Sequence, residues 1–272
     1  MNNGVVFTDS FYSMNNQAKA EKSEKKVNKV NLLKVLFIVL GFLIIAEVLI
    51  YTILMPCLAP VKITYSGLET FTAQQISNYL EITPKLTWIQ FDSAKAASKL
   101  ASNAIIENVV IEKHFPDQVL VKIVERKAVA VTLANINGKT VPVQIDKNGV
   151  IFAVDRGMPS NSVPLIAGFT FDTIAEGMRI NGKLRPLMEQ VAEIQQTNPA
   201  YFSVLSEIRV LPKDYGSYDL ELYPVHSRVK VLTDRTLNIE ALQYMMVVLD
   251  VFNSMKTNVS ELDLRYGSIS YR

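Results

Sequence analysis

Few side chains in this sequence have the types and spacing that catalysis or metal binding requires. The chain holds two histidines, His114 and His226, and one cysteine, Cys57, all far apart in the sequence. Because a zinc site takes three or four ligands, usually cysteine or histidine, these residues do not indicate one. The motifs GxSxG and HExxH and a glycine-rich phosphate loop are also missing from the sequence. We therefore predict no catalytic residue, no metal and no cofactor.

Two groups of carboxylates have simpler explanations than chemistry. Asp146-Lys147-Asn148-Gly149 begins like a calcium loop, but no further ligands follow at the required spacing, so we predict a hairpin turn. Asp172 and Glu176 form a pair that nothing in the sequence singles out for acid–base catalysis. These observations favour an interaction protein over an enzyme.

The residues from Val35 to Leu54 predict a transmembrane helix. Fifteen of these twenty residues are Leu, Ile, Val or Phe, and as a helix they would span about 30 Å, the thickness of a bilayer core. The one charge, Glu47, costs at most about 3 kcal/mol, less than the apolar residues contribute. Glu47 would either pair with a polar group on another membrane helix or reach the outer interface. Pro56 and Pro60 are expected to end the helix.

The charges beside this helix indicate its orientation. Residues 1–34 hold six lysines and three acidic residues, a net charge of +3, so we predict a cytoplasmic tail and an extracellular C-terminal part, the type II single-pass topology. A cleaved signal peptide ending at Cys57-Leu58-Ala59 is the alternative, but the apolar run is longer and starts later than a usual signal core. Residues 35–272 hold 22 basic and 23 acidic residues, which gives no indication of nucleic-acid binding.

The exterior is predicted to be α+β, in two domains at 55–128 and 129–272. The first reads as a β-α-α-β-β module whose two helices cover one face of a three-stranded sheet, with Thr72 and Asp92 as helix N-caps. The second reads as strand-rich, with turns at Asn137-Gly138 and Tyr215-Gly216 and two helices. The predicted elements are strands Val61–Tyr65, Ile105–Lys113 and Gln118–Glu125, and helices Thr72–Glu81, Asp92–Ser102, Leu184–Gln196 and Asn238–Lys256.

An ordered set of short motifs resembles the FtsQ/DivIB family of bacterial cell-division proteins. The first exterior module is similar to a POTRA domain. The match extends from residue 32 to nearly the end of the chain, and the motifs that carry it are Ile63-Thr64-Tyr65-Ser66-Gly67, Phe115-Pro116-Asp117, Val124-Glu125-Arg126, Val143-Gln144-Ile145-Asp146, Gly149-Val150-Ile151-Phe152, Val163-Pro164-Leu165-Ile166-Ala167-Gly168 and Leu262-Asp263-Leu264-Arg265-Tyr266.

The resemblance implies a non-catalytic component of the divisome at the division septum. Such proteins bind single-pass division proteins of the FtsB/DivIC and FtsL types, and through them influence septal peptidoglycan synthases. In the family the last strand is an edge to which a partner strand adds, and here Tyr266 and Ser268 match its contact positions. An open strand edge offers backbone hydrogen bonds, and an aromatic side chain can anchor a partner.

Two alternatives to this hypothesis remain open at this stage. Tyr266 could pack against its own domain, whereas Arg265 is expected to pair internally with an acidic residue. The chain could also be a membrane-anchored cell-wall enzyme or inhibitor, which would need a cleft with convergent acid and base groups.

Overall fold

The computed structural model describes residues 29–159, 163–169, 171, 173–255, 259–266 and 269–272. Most of the predicted tail therefore lies outside the described residues. The chain divides into an N-terminal unit that ends at Ala59 and a second unit that begins at Pro60.

The N-terminal unit is one long apolar helix. It consists of α1 (Lys29–Leu49), a π-helical turn (Ile50–Leu54) and α2 (Met55–Leu58). Within it, 28 residues from Asn31 to Leu58 are long and apolar enough to cross a membrane. At 1.5 Å per residue this stretch measures about 42 Å, so it extends beyond the predicted span at both ends.

The prediction that Pro56 ends this helix is wrong, because Pro56 lies within α2. Proline has no backbone N–H and cannot bond to the carbonyl four residues earlier. The wider π-helical turn directly before it accommodates that loss, with the Met55 N–H donating to the carbonyl of Ile50. The helix ends instead at Leu58, and Ala59 adopts the extended backbone that a residue before proline prefers.

Residues 62–125, here called the first module, have the predicted β-α-α-β-β order. The strands pair as β1-β3-β2, with β1 parallel and β2 antiparallel to β3. Two helices bury one face of this sheet through Ile76 and Leu100, against Val119, Val121 and Ile123. The elements are β1 (Lys62–Ser66), α3 (Ala73–Tyr79), α4 (Ser93–Ala101), β2 (Ile106–His114) and β3 (Gln118–Glu125).

The helix starts in the first module follow from local sequence. The Thr72 hydroxyl accepts from the Gln75 N–H while the Gln75 side chain accepts from the Thr72 N–H, a capping box. The Asp92 carboxylate accepts from the Lys95 N–H at 3.0 Å. Gly67 follows β1 with a positive φ, and a Cβ there would lie 2.0 Å from the Ile123 carbonyl oxygen, so the turn requires glycine.

Residues 130–272, here called the second module, contain two sheets. An antiparallel sheet has the order β4-β5-β6, and a six-stranded sheet has the order β12-β11-β10-β9-β8-β7. A bridge between Val131 and Leu165 connects them. The strands are β4 (Ala130–Ile136), β5 (Lys139–Ile145), β6 (Ile151–Val154), β7 (Ile166–Ala167), β8 (Leu205–Pro212), β9 (Tyr218–Pro224), β10 (Lys230–Thr233), β11 (Glu261–Asp263) and β12 (Ser270–Tyr271).

Two helices connect parallel strands of the larger sheet and bury its inner face. Helix α5 (Arg185–Thr197) joins β7 to β8, and α6 (Ile239–Ser254) joins β10 to β11. Such crossovers are needed because parallel neighbours cannot be joined by a tight turn. The buried core between helices and sheet includes Leu187, Val191, Ile208, Leu220, Leu222, Val231, Leu242, Met245, Leu249 and Leu262.

Polar contacts join the two modules where β3 ends. The Glu125 carboxylate accepts hydrogen bonds from the backbone N–H groups of residues 69–71, and these hold its pKa below the usual range although burial acts in the opposite direction. The next residue, Arg126, pairs with the buried carboxylate of Asp146. Asp146 also accepts from the N–H groups of Asn148 and Val150 at 2.9 and 2.7 Å, so it orders the turn between β5 and β6.

We predict that Asp146→Ala destabilises the protein by about 3 to 5 kcal/mol, because it leaves the Arg126 guanidinium and two backbone N–H groups without their buried partner. Urea unfolding of the full chain in detergent would measure this. Glu69→Ala is the matched control, since its pair with Lys127 is exposed and such surface pairs contribute little to stability. Equal effects of the two substitutions would contradict the prediction.

Candidate partner-binding edge

Strand β12 forms one border of the six-stranded sheet. Arg272 and Glu261 exchange backbone hydrogen bonds at 3.1 and 3.0 Å, which holds β12 against β11. Successive residues of a strand point their backbone groups to opposite sides, so the N–H and C=O of Tyr271 point away from β11. No strand pairs with that side of β12 within the part of the chain that the structure describes. The edge can therefore accept another strand.

An apolar surface lies beside this edge. Tyr271 is 62% exposed, and its ring packs edge-on against Phe252 of α6 at a centroid distance of 5.2 Å. Helix α6 buries one side in the core, yet Tyr244, Val247 and Val251, with Met255 just beyond its end, are also exposed. Their spacing of three or four residues puts them on one side of the helix, next to Phe252. We call β12 and these four residues the edge surface.

The opposite face of the sheet carries ion pairs instead of apolar side chains. Lys230 contacts the carboxylates of Glu221 on β9 and Glu261 on β11, each at 2.8 Å. Both acidic side chains are buried, and Arg272 and the Tyr223 hydroxyl complete their hydrogen bonds. The hydrogen bonds that Lys230 donates to these two carboxylates raise its pKa.

The two carboxylates beside Lys230 have lowered pKa values for slightly different reasons. Burial alone would raise the pKa of Glu221, but hydrogen bonds from Lys230 and Tyr223 outweigh it. The hydrogen bond from Lys230 is the largest influence on Glu261 and lowers its pKa. Both groups are therefore charged at neutral pH and stabilise the folded state there.

The predicted site residue Tyr266 lies in the turn between β11 and β12. Its side chain is 74% exposed, and the Arg265 guanidinium lies 5.3 Å from its ring centroid. Arg265 pairs with Asp219 and Asp263, at 2.7 and 2.5 Å, which confirms the expected internal ion pair. Ser268, the other predicted site residue, lies outside the described residues. The partner-binding role of both stays a prediction.

Sequence reasoning missed most of the edge surface. The helical pattern of α6 put Leu242, Met246 and Leu249 on one side of the helix. Leu242 and Leu249 are buried, but Met246 is 40% exposed. The pattern gave no role to Tyr244, Val247 and Val251. Their signal was present, since they repeat at helical spacing on a second side of the same helix. Tyr271 gave no comparable signal, because its position beside Phe252 depends on the pairing of two distant segments.

Comparisons with known proteins agree with this architecture. A model of the POTRA domain, FtsQ-type, matches residues 60–126. A protein named cell division protein DivIB from Bacillus cytotoxicus is 26% identical over 219 residues, which cover 80% of this chain and 77% of the relative. A protein of the same name from Bacillus anthracis is 25% identical over 219 residues, covering 80% and 74%. The chain is therefore similar to proteins of the FtsQ/DivIB family over four-fifths of its length.

These similarities confirm the fold class and support a broad role. The first module matches the FtsQ-type POTRA domain, and the second is the strand-rich C-terminal region that the sequence predicted. The names of the relatives support a role in cell division, with an N-terminal helix suited to anchoring the protein in a membrane. Division proteins act together with other proteins, so these similarities imply protein partners.

We predict that stability falls as the pH drops below about 4.5, the ordinary pKa of a glutamate. Because folding lowers the pKa of Glu221 and Glu261, their contribution is complete above that value and is lost as the pH falls through their folded-state pKa values. Melting temperatures between pH 7 and pH 3 would show this.

The Lys230→Met protein should have a lower melting temperature at pH 7, since Glu221 and Glu261 then lack their shared cation. For the same reason its melting temperature should fall less than that of the unmodified chain on acidification. Lys139→Met, at an exposed position of β5, serves as the control and should follow the unmodified chain. A Lys230→Met profile parallel to that of the unmodified chain would contradict the assignment.

Proposed function

We propose that this protein is a non-catalytic component of the divisome that binds other single-pass division proteins outside the membrane. The open edge of β12 is the observation that carries the proposal, because it offers unpaired backbone groups beside exposed aromatic side chains. The partners are proteins of the FtsB/DivIC and FtsL types, and through them the protein helps to regulate septal peptidoglycan synthesis.

The edge surface suggests the chemistry of the partner segment. A strand added beside β12 projects alternate side chains to its two faces. On one face they meet Tyr271 and the exposed side of α6, which fit apolar residues. On the other they meet Arg272, which is exposed beyond its pair with Glu261 and fits polar or acidic residues. The partner is thus an extended segment in which apolar and polar residues alternate.

The proposed topology follows from the charges of the chain. The lysine-rich tail, residues 1–34, lies in the cytoplasm, a single helix that includes residues 35–54 spans the membrane, and domains at 55–128 and 129–272 lie outside. The protein acts at the division septum, where its exterior meets the exterior parts of its partners.

A photo-crosslinking residue at Tyr266 or Tyr271 in living cells tests the proposal. We expect both positions to capture a small single-pass division protein, because both side chains are exposed at the β12 edge. A probe at Tyr215, which is fully exposed on the turn between β8 and β9, is the control and should not capture it. If the probes at 266 and 271 crosslink only within the chain, the binding edge is refuted.

Substitutions to glutamate give a quantitative test. Tyr266→Glu and Tyr271→Glu should each weaken binding of the partner exterior by about tenfold or more, since an exposed aromatic anchor is worth at least about 1 to 2 kcal/mol. Tyr215→Glu introduces the same charge elsewhere and should leave the affinity unchanged. Unchanged binding by folded Tyr266→Glu and Tyr271→Glu proteins would rule out this edge.

A further inference from the structure

The POTRA domain has an exposed aromatic tip at the point where the chain enters it. Pro60 pairs with Thr87, and the Val61 N–H donates to the Leu86 carbonyl at 2.9 Å. The Lys62 N–H donates to the Asp117 carbonyl at 2.8 Å. The loops at 82–91 and 115–117 therefore lie on either side of the first residues that follow the apolar helix.

The tip exposes large apolar side chains. Ile89 is 57% and Phe115 is 58% exposed, although neither belongs to the sheet or helices of the domain. The rings of Phe115 and Trp88 meet edge-on with centroids 6.0 Å apart. The Trp88 indole N–H donates to the Gln118 carbonyl at 3.1 Å, so the ring is held in place and the two exposed side chains project from a fixed base.

The charges at the tip are mostly positive. Lys113 lies 4.3 Å from the Trp88 ring centroid and donates to the Phe91 carbonyl at 2.9 Å. Lys85 is exposed in the same loop as Trp88 and Ile89. The acidic residue of these loops, Asp117, is buried and pairs with Lys62 at 2.7 Å. Aromatic side chains beside lysines are the combination that favours the boundary between lipid headgroups and acyl chains.

We propose that this tip, formed by Lys85, Trp88, Ile89, Lys113 and Phe115, inserts into the headgroup region of the membrane that the apolar helix spans. Leu58 ends that helix and Pro60 already pairs with the tip loop, so one residue, Ala59, separates them, and the two steps of chain measure at most about 7 Å. We infer that the tip binds lipid and not a protein, because so short a connection to the helix keeps the tip close to the membrane surface. The inference rests on the proposed membrane-spanning role of the helix.

Two attachments to the membrane would constrain the orientation of the exterior more than a single attachment would. A single helix followed by a short linker leaves a domain free to tilt, whereas a second contact at the tip limits that motion. The POTRA domain connects to the second module through Arg126 and Asp146, so the constraint would extend to the β12 edge. The tip thereby sets the orientation in which partners meet that edge.

Trp88 is the one tryptophan of the chain, so its fluorescence reports on the tip without labelling. The full chain is reconstituted in phosphatidylcholine–phosphatidylglycerol vesicles that carry a nitroxide either near the headgroup or near the end of the acyl chain. The shallow nitroxide should quench Trp88 about twofold more than the deep one, as an interfacial aromatic requires. In the control W88F/Y215W, the indole lies on the exposed turn of the second module, and neither nitroxide should quench it.

Ile89→Ser should lower the quenching of Trp88 by the shallow nitroxide by about half, since it removes one of two exposed apolar anchors. Val110→Ser removes an exposed apolar side chain from β2 of the same domain and should leave the quenching unchanged. Equal quenching in Ile89→Ser and the unmodified chain would overturn the proposal.

Flotation of the vesicles after carbonate washing tests the membrane anchor independently of the tip. If the protein floats with the vesicles and Trp88 is not quenched, the tip proposal is overturned while the membrane-spanning helix stands. If washing removes the protein, both the anchor and the tip proposal fail. Quenching by the shallow nitroxide in the floated protein, with the expected response of Ile89→Ser, supports the insertion of the tip in lipid.

Discussion

The arrangement of the two modules depends on two consecutive residues, one of which binds backward in the chain and the other forward. Glu125 ends the last POTRA strand and binds backbone N–H groups of residues 69–71, whereas Arg126 reaches forward to Asp146. Asp146 in turn orders the β5–β6 turn. Because the carboxylates are buried and saturated with hydrogen bonds, small changes in geometry leave charges unpaired. A short polar junction thereby connects two separate hydrophobic cores.

The two faces of the six-stranded sheet differ, since one packs against apolar side chains and the other carries ion pairs. On one face, helices bury an apolar core, and on the other, carboxylates on β9 and β11 pair with Lys230 of β10 and with Arg265 just after β11. A face whose charged groups are paired with one another does not favour the binding of an apolar surface. Many of the exposed apolar residues of this module lie instead around β12 and the outer side of α6, where an added strand would extend the sheet.

Much of the fold could be predicted because it rests on local rules. Thr72 and Asp92 cap helices as their sequence contexts indicate, and Asn137-Gly138 and Tyr215-Gly216 form turns through their positive φ angles. The prediction failed at Pro56, because the helix compensates for proline by widening the turn before it. It was incomplete at α6, because one amphipathic pattern explained the core and concealed a second apolar side.

The sequence by itself determined the apolar helix and the β-α-α-β-β order of the POTRA domain, since hydrophobic periodicity, caps and turn residues act over a few neighbours. The resemblance implied that the last strand is an edge, but only the tertiary structure decided which side chains surround it. Tyr271 meets Phe252, and Trp88 meets Phe115, through contacts between segments that are distant in the chain. Such contacts depend on strand register and helix packing, which no local pattern specifies.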